Sequence, residues 1–206
     1  MPKKMPPTFY YIGNHPVVDF INTNISSSGK PVDLLETFSS LLDWLWKADY
    51  ISKEEVELYE QRWGNSGEGA RALEAAKELR SSLQAIIDTS NTGEEIADIY
   101  LEPINHLLKE RVITTKLVKK DSGFDQESHI KIQTSDDILI PLAESAIGFI
   151  SQYDLALVKQ CEGSDCVLYF YDNSKNNTRR WCSQKTCGNR MKVAAYLERQ
   201  QAKNKL

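Results

Sequence analysis

Between Leu34 and Leu45 the apolar residues Leu34, Leu35, Phe38, Leu41, Leu42 and Leu45 recur at intervals of three and four. That spacing predicts a helix from about Asp33, with Asp33 as its cap and Glu36 completing a capping box. Ser52 and Glu55 repeat the signature and open a second helix through Val56, Tyr59 and Trp63, closed by the glycines of the 64–69 stretch. Leu73, Ala76, Leu79, Leu83 and Ile86/Ile87 then form one stripe of a helix over about 70–87. A further helix is predicted over about 94–111, bent near Pro103.

The period then changes. Residues 112–118 and 128–133 are β-rich and flank a polar loop with Asp121, Ser122 and Gly123, which predicts a β-hairpin. Residues 138–150 return to helical spacing. Ahead of all this, 9–25 mixes aromatic and β-branched residues with Gly13, Asn14 and Pro16 and reads as an irregular or short-strand lead-in. Residues 26–31 read as a loop. Near the C-terminus, 167–171 predicts a short strand, 179–181 a second one, and the residues after Cys187 a helix. The fold class expected is mainly α with a β-hairpin: a helical domain over 1–156 and a small module over 157–206.

All four cysteines lie in that module, as Cys161-x4-Cys166 and Cys182-x4-Cys187 with fifteen residues between the pairs. Two short pairs at this separation bring four thiols to one tetrahedral point, the geometry of one structural zinc ion. A site closed by four thiolates keeps no open position for catalysis, and no phosphate loop or nucleophile elbow is present, so no enzymatic role is expected. His15, His106 and His129 are scattered, with no carboxylate or thiol at ligand spacing.

The net charge of −4 divides unevenly: residues 157–206 carry +6 and residues 1–156 carry −10. A basic module on an acidic body points to a negatively charged partner, with nucleic acid first. Arg179, Arg180, Lys185, Asn189, Lys192, Arg199 and Lys203 are the candidate contacts. Lys192, Arg199 and Lys203 align on one helix face. Arg190 falls on the other side, directed inward with Asp172 as its expected partner, and Trp181 is expected to plug the core of the module. In the body, Asn14, Asp19, Asn22 and Thr23 form a polar cluster in an apolar stretch, either lining a small-molecule pocket or serving turn and cap chemistry.

The finger resembles the CGNR zinc-finger family through its cysteine pairs, Asp172-x-Ser174-x-Asn176, Arg179-Arg180-Trp181-Cys182-Ser183 and Cys187-Gly188-Asn189-Arg190-x-Lys192. The preceding part, with Gly13-Asn14 and Asp19-Phe20-x-Asn22-Thr23, resembles the stress-induced transcription-regulator domain called ABATE. Gln184 and Lys159 depart from the finger's usual Met and Arg; neither is a proposed ligand. The resemblance implies a bacterial regulator whose finger binds DNA; the polar cluster makes the N-terminal domain a sensor of an effector or an interaction domain, and the lack of an export signal points to the cytoplasm. RNA binding or protein docking is the alternative. One small finger implies modest affinity, so a homodimer is an expected form. No apolar run is long enough for a membrane span, and the basic start has no apolar stretch behind it.

Overall fold

The computed structural model describes residues 9–27, 30–109 and 111–203, with only the backbone of Ser27 and Lys203. Pro16 and the His15 ring start a helix, α1 (Pro16–Ile21), where the sequence pattern suggests an irregular lead-in. His15 Nδ1 accepts from the Val17 N–H at 3.2 Å, and proline in the first turn loses no intrahelical bond. Val17, Val18, Phe20 and Ile21 are all buried. Six residues are too few to display a helical period.

Strand β1 (Asn24–Ser27) follows and pairs antiparallel with β2 (Lys30–Asp33), with Asn24 opposite Asp33 and Ile25 opposite Val32. The expected loop over 26–31 is therefore largely a hairpin; Ser28 and Gly29 lie outside the described residues. Helix α2 (Phe38–Lys47) begins several residues later than expected. Its cap is Thr37, whose hydroxyl accepts from Ser40 N–H while Ser40 Oγ accepts from Thr37 N–H. Asp33 does not cap this helix; it binds Arg80 and accepts from Leu35 N–H at 2.9 Å.

Helix α3 (Lys53–Trp63) carries the predicted Ser52/Glu55 capping box. Helix α4 (Gly67–Thr92) extends beyond the predicted span at both ends and stops at Gly93, whose φ of +74° suits glycine. Gly69 lets the start of α4 pass close to α3: a Cβ there would lie 2.5 Å from the Trp63 carbonyl oxygen. The predicted bent helix over 94–111 is instead a single 3-10 turn (Asp98–Tyr100) and a short α5 (Glu102–Lys109). Pro103 starts this helix rather than bending one, because the first turn has no use for its missing N–H.

The hairpin is longer and its turn tighter than predicted. Strand β3 (Ile113–Lys120) pairs with β4 (Gly123–Ile130) across Asp121-Ser122, from Ile113 opposite Ile130 to Lys120 opposite Gly123. Residues 123–127, which read as loop, are part of the ladder, supported by cross-strand charge pairs such as Lys116–Glu127 at 3.1 Å. Both strands are largely solvent-facing, and Leu117 and Phe124 are 74% and 73% exposed. After a 3-10 turn (Ser135–Leu139), α6 (Ile140–Gln152) runs with Ile140, Leu142, Ala143, Ala146 and Phe149 buried.

Helix α4 packs on α1, α2 and α5, and α6 packs on α1 and α5. Trp44, Phe20, Phe149 and Phe170 are the largest side chains fully enclosed, with Phe20 and Trp44 ring centroids 4.8 Å apart. Among the described residues no helix is long and apolar enough to cross a membrane. The architecture is mainly helical with small antiparallel strand pairs, as the sequence predicts.

One ion pair ties the β1–β2 region to this core. Arg80, on α4 and 6% exposed, donates to both Asp33 carboxylate oxygens at 2.7 Å and to Thr23 Oγ at 2.9 Å. Burial would raise the Asp33 carboxyl pKa, but the Arg80 hydrogen bonds and charge more than offset that and lower it. Asp33→Ala leaves the buried guanidinium without its counter-charge. A loss of about 2–3 kcal/mol is expected in urea unfolding, below the full cost of a broken buried pair because Asp33 is partly exposed. Asp33→Asn, which keeps one acceptor, is expected to lose less.

Candidate metal centre

The C-terminal module begins with a strand that the sequence pattern does not reveal. β5 (Val158–Gln160) pairs antiparallel with β6 (Tyr169–Tyr171), Val158 opposite Tyr171 and Gln160 opposite Tyr169. The second strand expected over 179–181 does not form. Residues 179–181 have no strand structure and make one bond between main-chain groups, Glu162 N–H to the Arg180 carbonyl at 3.0 Å. A three-residue Val-Lys-Gln strand carries too little alternation to be read.

Cys161 follows β5 directly. Its N–H donates to the Leu168 carbonyl at 2.8 Å, and Cys166 N–H closes the knuckle on the Gly163 carbonyl at 3.0 Å. The return loop 172–178 is organised by buried Asp172, which accepts from Ser174 N–H and Oγ, Arg179 N–H and Lys159 Nζ at 2.6–3.1 Å. Burial alone would raise this carboxyl; those donors outweigh it and hold the pKa at about 2. Cys182 then donates its N–H to Cys161 Sγ at 3.2 Å. One wide turn over Gln184–Gly188 delivers Cys187, and helix α7 (Asn189–Lys203) departs from it. A Cβ on Gly188 would meet the Trp181 ring at 2.7 Å, so the turn and the ring need a glycine there.

The four sulfurs lie within 4.8 Å of one another. Cys166 and Cys182 are 3.7 Å apart, and Cys182 and Cys187 3.6 Å. A tetrahedron with zinc–sulfur bonds of about 2.3 Å has edges of about 3.8 Å. A disulfide would need about 2.05 Å, and all four cysteines are free. The donor set and spacing fit one structural zinc ion. The cluster cannot ionise fully by itself. Hydrogen bonding from Cys182 pulls the Cys166 thiol down to about 5, whereas Cys182 is pushed up by its bonds to neighbouring sulfurs and Cys161 by burial. The cation supplies the compensation the remaining thiolates need. Arg190 adds to it, with Nη2 3.4 Å from Cys187 Sγ. That corrects the expected Arg190–Asp172 pair, since Asp172 binds Lys159 instead.

The other basic residues divide. Arg179 is bound into the fold: Nε donates to the Trp181 carbonyl at 2.9 Å, Nη2 to the carbonyls of Cys182 and Ile12, and the guanidinium lies over the Phe170 ring. Arg180 is exposed, pairs with Glu162 and covers the half-buried Trp181 ring. Lys185, Asn189, Lys192 and Arg199 are exposed, and Asn189 Nδ2 also donates to the Lys185 carbonyl at 3.2 Å. The Lys203 side chain lies outside the described residues. Val193 and Leu197, close to Arg190 around the helix, are exposed.

The N-terminal polar cluster meets this module. Asn22 Nδ2 donates to the Tyr169 carbonyl at 2.9 Å, and Tyr169 N–H donates to Asn22 Oδ1 at 2.8 Å. Asn14, at φ +63°, donates to the Tyr171 carbonyl and Asn173 Oδ1, and Tyr171 N–H donates to the Gly13 carbonyl at 2.7 Å. Asp19 holds the Gly13 turn through a 2.7 Å bond from Gly13 N–H; burial pushes its carboxyl up to about 6, against the pull of its backbone bonds. Thr23 donates to the Phe20 carbonyl and accepts from Arg80. The polar atoms of the four proposed pocket residues are thus engaged in local turns, in Arg80 and in the edge of β6.

Two contacts leave no trace in the sequence pattern. Tyr169 Oη donates to Asp88 on α4 at 2.9 Å, and burial together with that bond raises its pKa to about 12. Asn91 Nδ2 donates to the Val158 carbonyl at 3.0 Å. The two pairs are 81 and 67 residues apart in sequence, so no local pattern marks them.

Two family models match the chain. One, ABATE, described as "Putative stress-induced transcription regulator", covers residues 14–153. The other, described as "CGNR zinc finger", covers residues 158–200. No curated protein matches the chain.

Metal analysis of purified protein is expected to give one zinc per chain, falling below stoichiometry in Cys182→Ser. Asn22→Ala strands a buried N–H and carbonyl of Tyr169. It is expected to lower stability by about 2–4 kcal/mol with zinc content unchanged.

Proposed function

The chain belongs to the ABATE family, and on that premise we propose that it is a cytoplasmic transcription regulator whose zinc finger contacts nucleic acid, DNA in the first place. The observation that carries this reading is the outer face of α7. Lys192 and Arg199 are exposed there, and among the described residues neither has an acidic partner. Helical periodicity adds Lys203 to the same face. Half-buried Met191 and Ala194 lie on the opposite side, toward the finger. Lys185 and Asn189 continue the exposed polar surface to the wide turn, and Arg180 can exchange Glu162 for a phosphate because an exposed pair is worth little. Arg179 supports the reading differently, by fixing the 179–182 segment. Contacts of this kind position a protein on phosphates without reading sequence.

The N-terminal domain would act on the finger through the Asn14/Asn22 joint, whether it answers a small-molecule effector or a second copy of the chain. No catalytic role is proposed, since a four-thiolate zinc holds structure and offers no open position. A protein-docking role for the finger is the second reading, and the exposed Val193 and Leu197 favour it.

Fluorescence anisotropy with labelled duplex DNA over a series of salt concentrations tests the proposal. Binding is expected to weaken steeply with salt. Neutralising Lys192 and Arg199 together is expected to reduce the slope of log K against log salt by about 2, near 0.9 for each phosphate no longer neutralised, with zinc content unchanged. An unaltered slope removes α7 from the interface. Absence of saturable binding at physiological salt favours the docking role.

A further inference from the structure

We propose that Tyr196 stacks on an unpaired base, so that the finger engages nucleic acid where a single strand or an opened duplex crosses α7. This rests on α7 as the nucleic-acid face and specifies what that face takes. Tyr196 is 55% exposed. Among the described residues its hydroxyl has no hydrogen-bond partner and its ring no aromatic partner, unlike Tyr153, Tyr169 and Tyr171. At about 100° per residue it stands about 40° around the helix from Lys192 and about 60° from Arg199, one turn from each along the axis. Along the axis the aromatic ring therefore lies between the two cations, which both stand on the same side of it around the helix.

Charge complementarity selects the occupant. Two unpaired cations, one turn before and one turn after the ring on the same side of it, hold a phosphodiester backbone alongside, and a base attached to that backbone reaches the ring. A stacked duplex hides its base faces and offers the ring only edges and sugar–phosphate; an unpaired base offers its π face. Exposed Val193 and Leu197 extend the apolar floor on the side of Tyr196 away from the cations. Single-stranded DNA and RNA share this chemistry.

The test uses zinc-loaded full-length protein with Tyr196→Ala, Tyr196→Phe and Tyr196→Trp. Labelled oligothymidylate, oligouridylate and a duplex of the same length serve as probes. Tyr196→Ala is expected to weaken single-strand binding about fivefold to a hundredfold, the range of one lost base–aromatic stack. The two aromatic variants stay near wild type, and duplex affinity changes less than about twofold. Comparing the two homopolymers separates DNA from RNA as the natural strand. Single-strand affinity unchanged in Tyr196→Ala, or lost equally for duplex, overturns the proposal while leaving the finger's nucleic-acid role standing if neutralising Lys192 and Arg199 still weakens binding. Wild-type protein that binds none of the probes overturns both. Self-association that Tyr196→Ala abolishes, with strand binding intact, assigns this face to a second copy of the chain and overturns the stacking role.

Discussion

Four sulfurs packed within 4.8 Å cannot all carry charge unless a cation sits among them. The segments that carry the cysteines are arranged to meet that condition. The knuckle from Cys161 to Cys166 aims two sulfurs, and the wide turn before α7 aims the last one. The Cys182 N–H and the Arg190 guanidinium reach toward the sulfurs and temper their charge. The module's own apolar contribution to this cluster is small, chiefly Leu168, Phe170 and Trp181, with Ile12 and Ile25 added from the N-terminal part, so the module has no core large enough to hold itself closed. The direction in which α7 projects is therefore fixed by coordination more than by packing.

The module is also fixed to the helical body by polar contacts between main chain and side chains. A two-stranded β5–β6 pair would normally leave the outer edge of β6 open, and open edges recruit other strands. Here Asn22, Asn14 and Gly13 occupy that edge, while Asp88 and Asn91 hold the pair from α4. Leu155, Val158 and Tyr169 belong to the main hydrophobic core, and Ile12 and Ile25 pack against the cluster around the cysteines. The two cores interleave at this boundary. Arg179 reinforces it by reaching from the finger to the Ile12 carbonyl.

How much of this is legible in the sequence depends on the range over which each signal acts. The cysteine array and the Ser52/Glu55 box are local and chemically specific, and both can be read directly from the chain. The start of α2 is easily misplaced because Asp33 and Glu36 imitate a capping box while Thr37 and Ser40 form the actual one. Helix α1 is hidden by its brevity, and β5 by its three residues. The first part of β4, residues 123–127, escapes notice because charged cross-strand pairs rather than apolar alternation mark it on an uncovered arm. The Asn14/Asp19/Asn22/Thr23 cluster stands out as unusual, but the sequence leaves open whether it serves a ligand or local backbone. Its partner strand lies 147 residues further along, beyond the reach of any pattern within the chain's first quarter.

The clasp at Asn22 also bears on how such a protein can change over evolutionary time. A lineage that discards the finger by truncation inherits a helical remnant with an orphaned carboxamide and a glycine-asparagine turn pressed against nothing. Selection would then be free to replace those polar residues with apolar ones, or proteolysis would clear the remnant. The Gly13-Asn14 and Asp19-to-Thr23 signature should therefore persist in descendants that retain β6 and decay in those that have shed it.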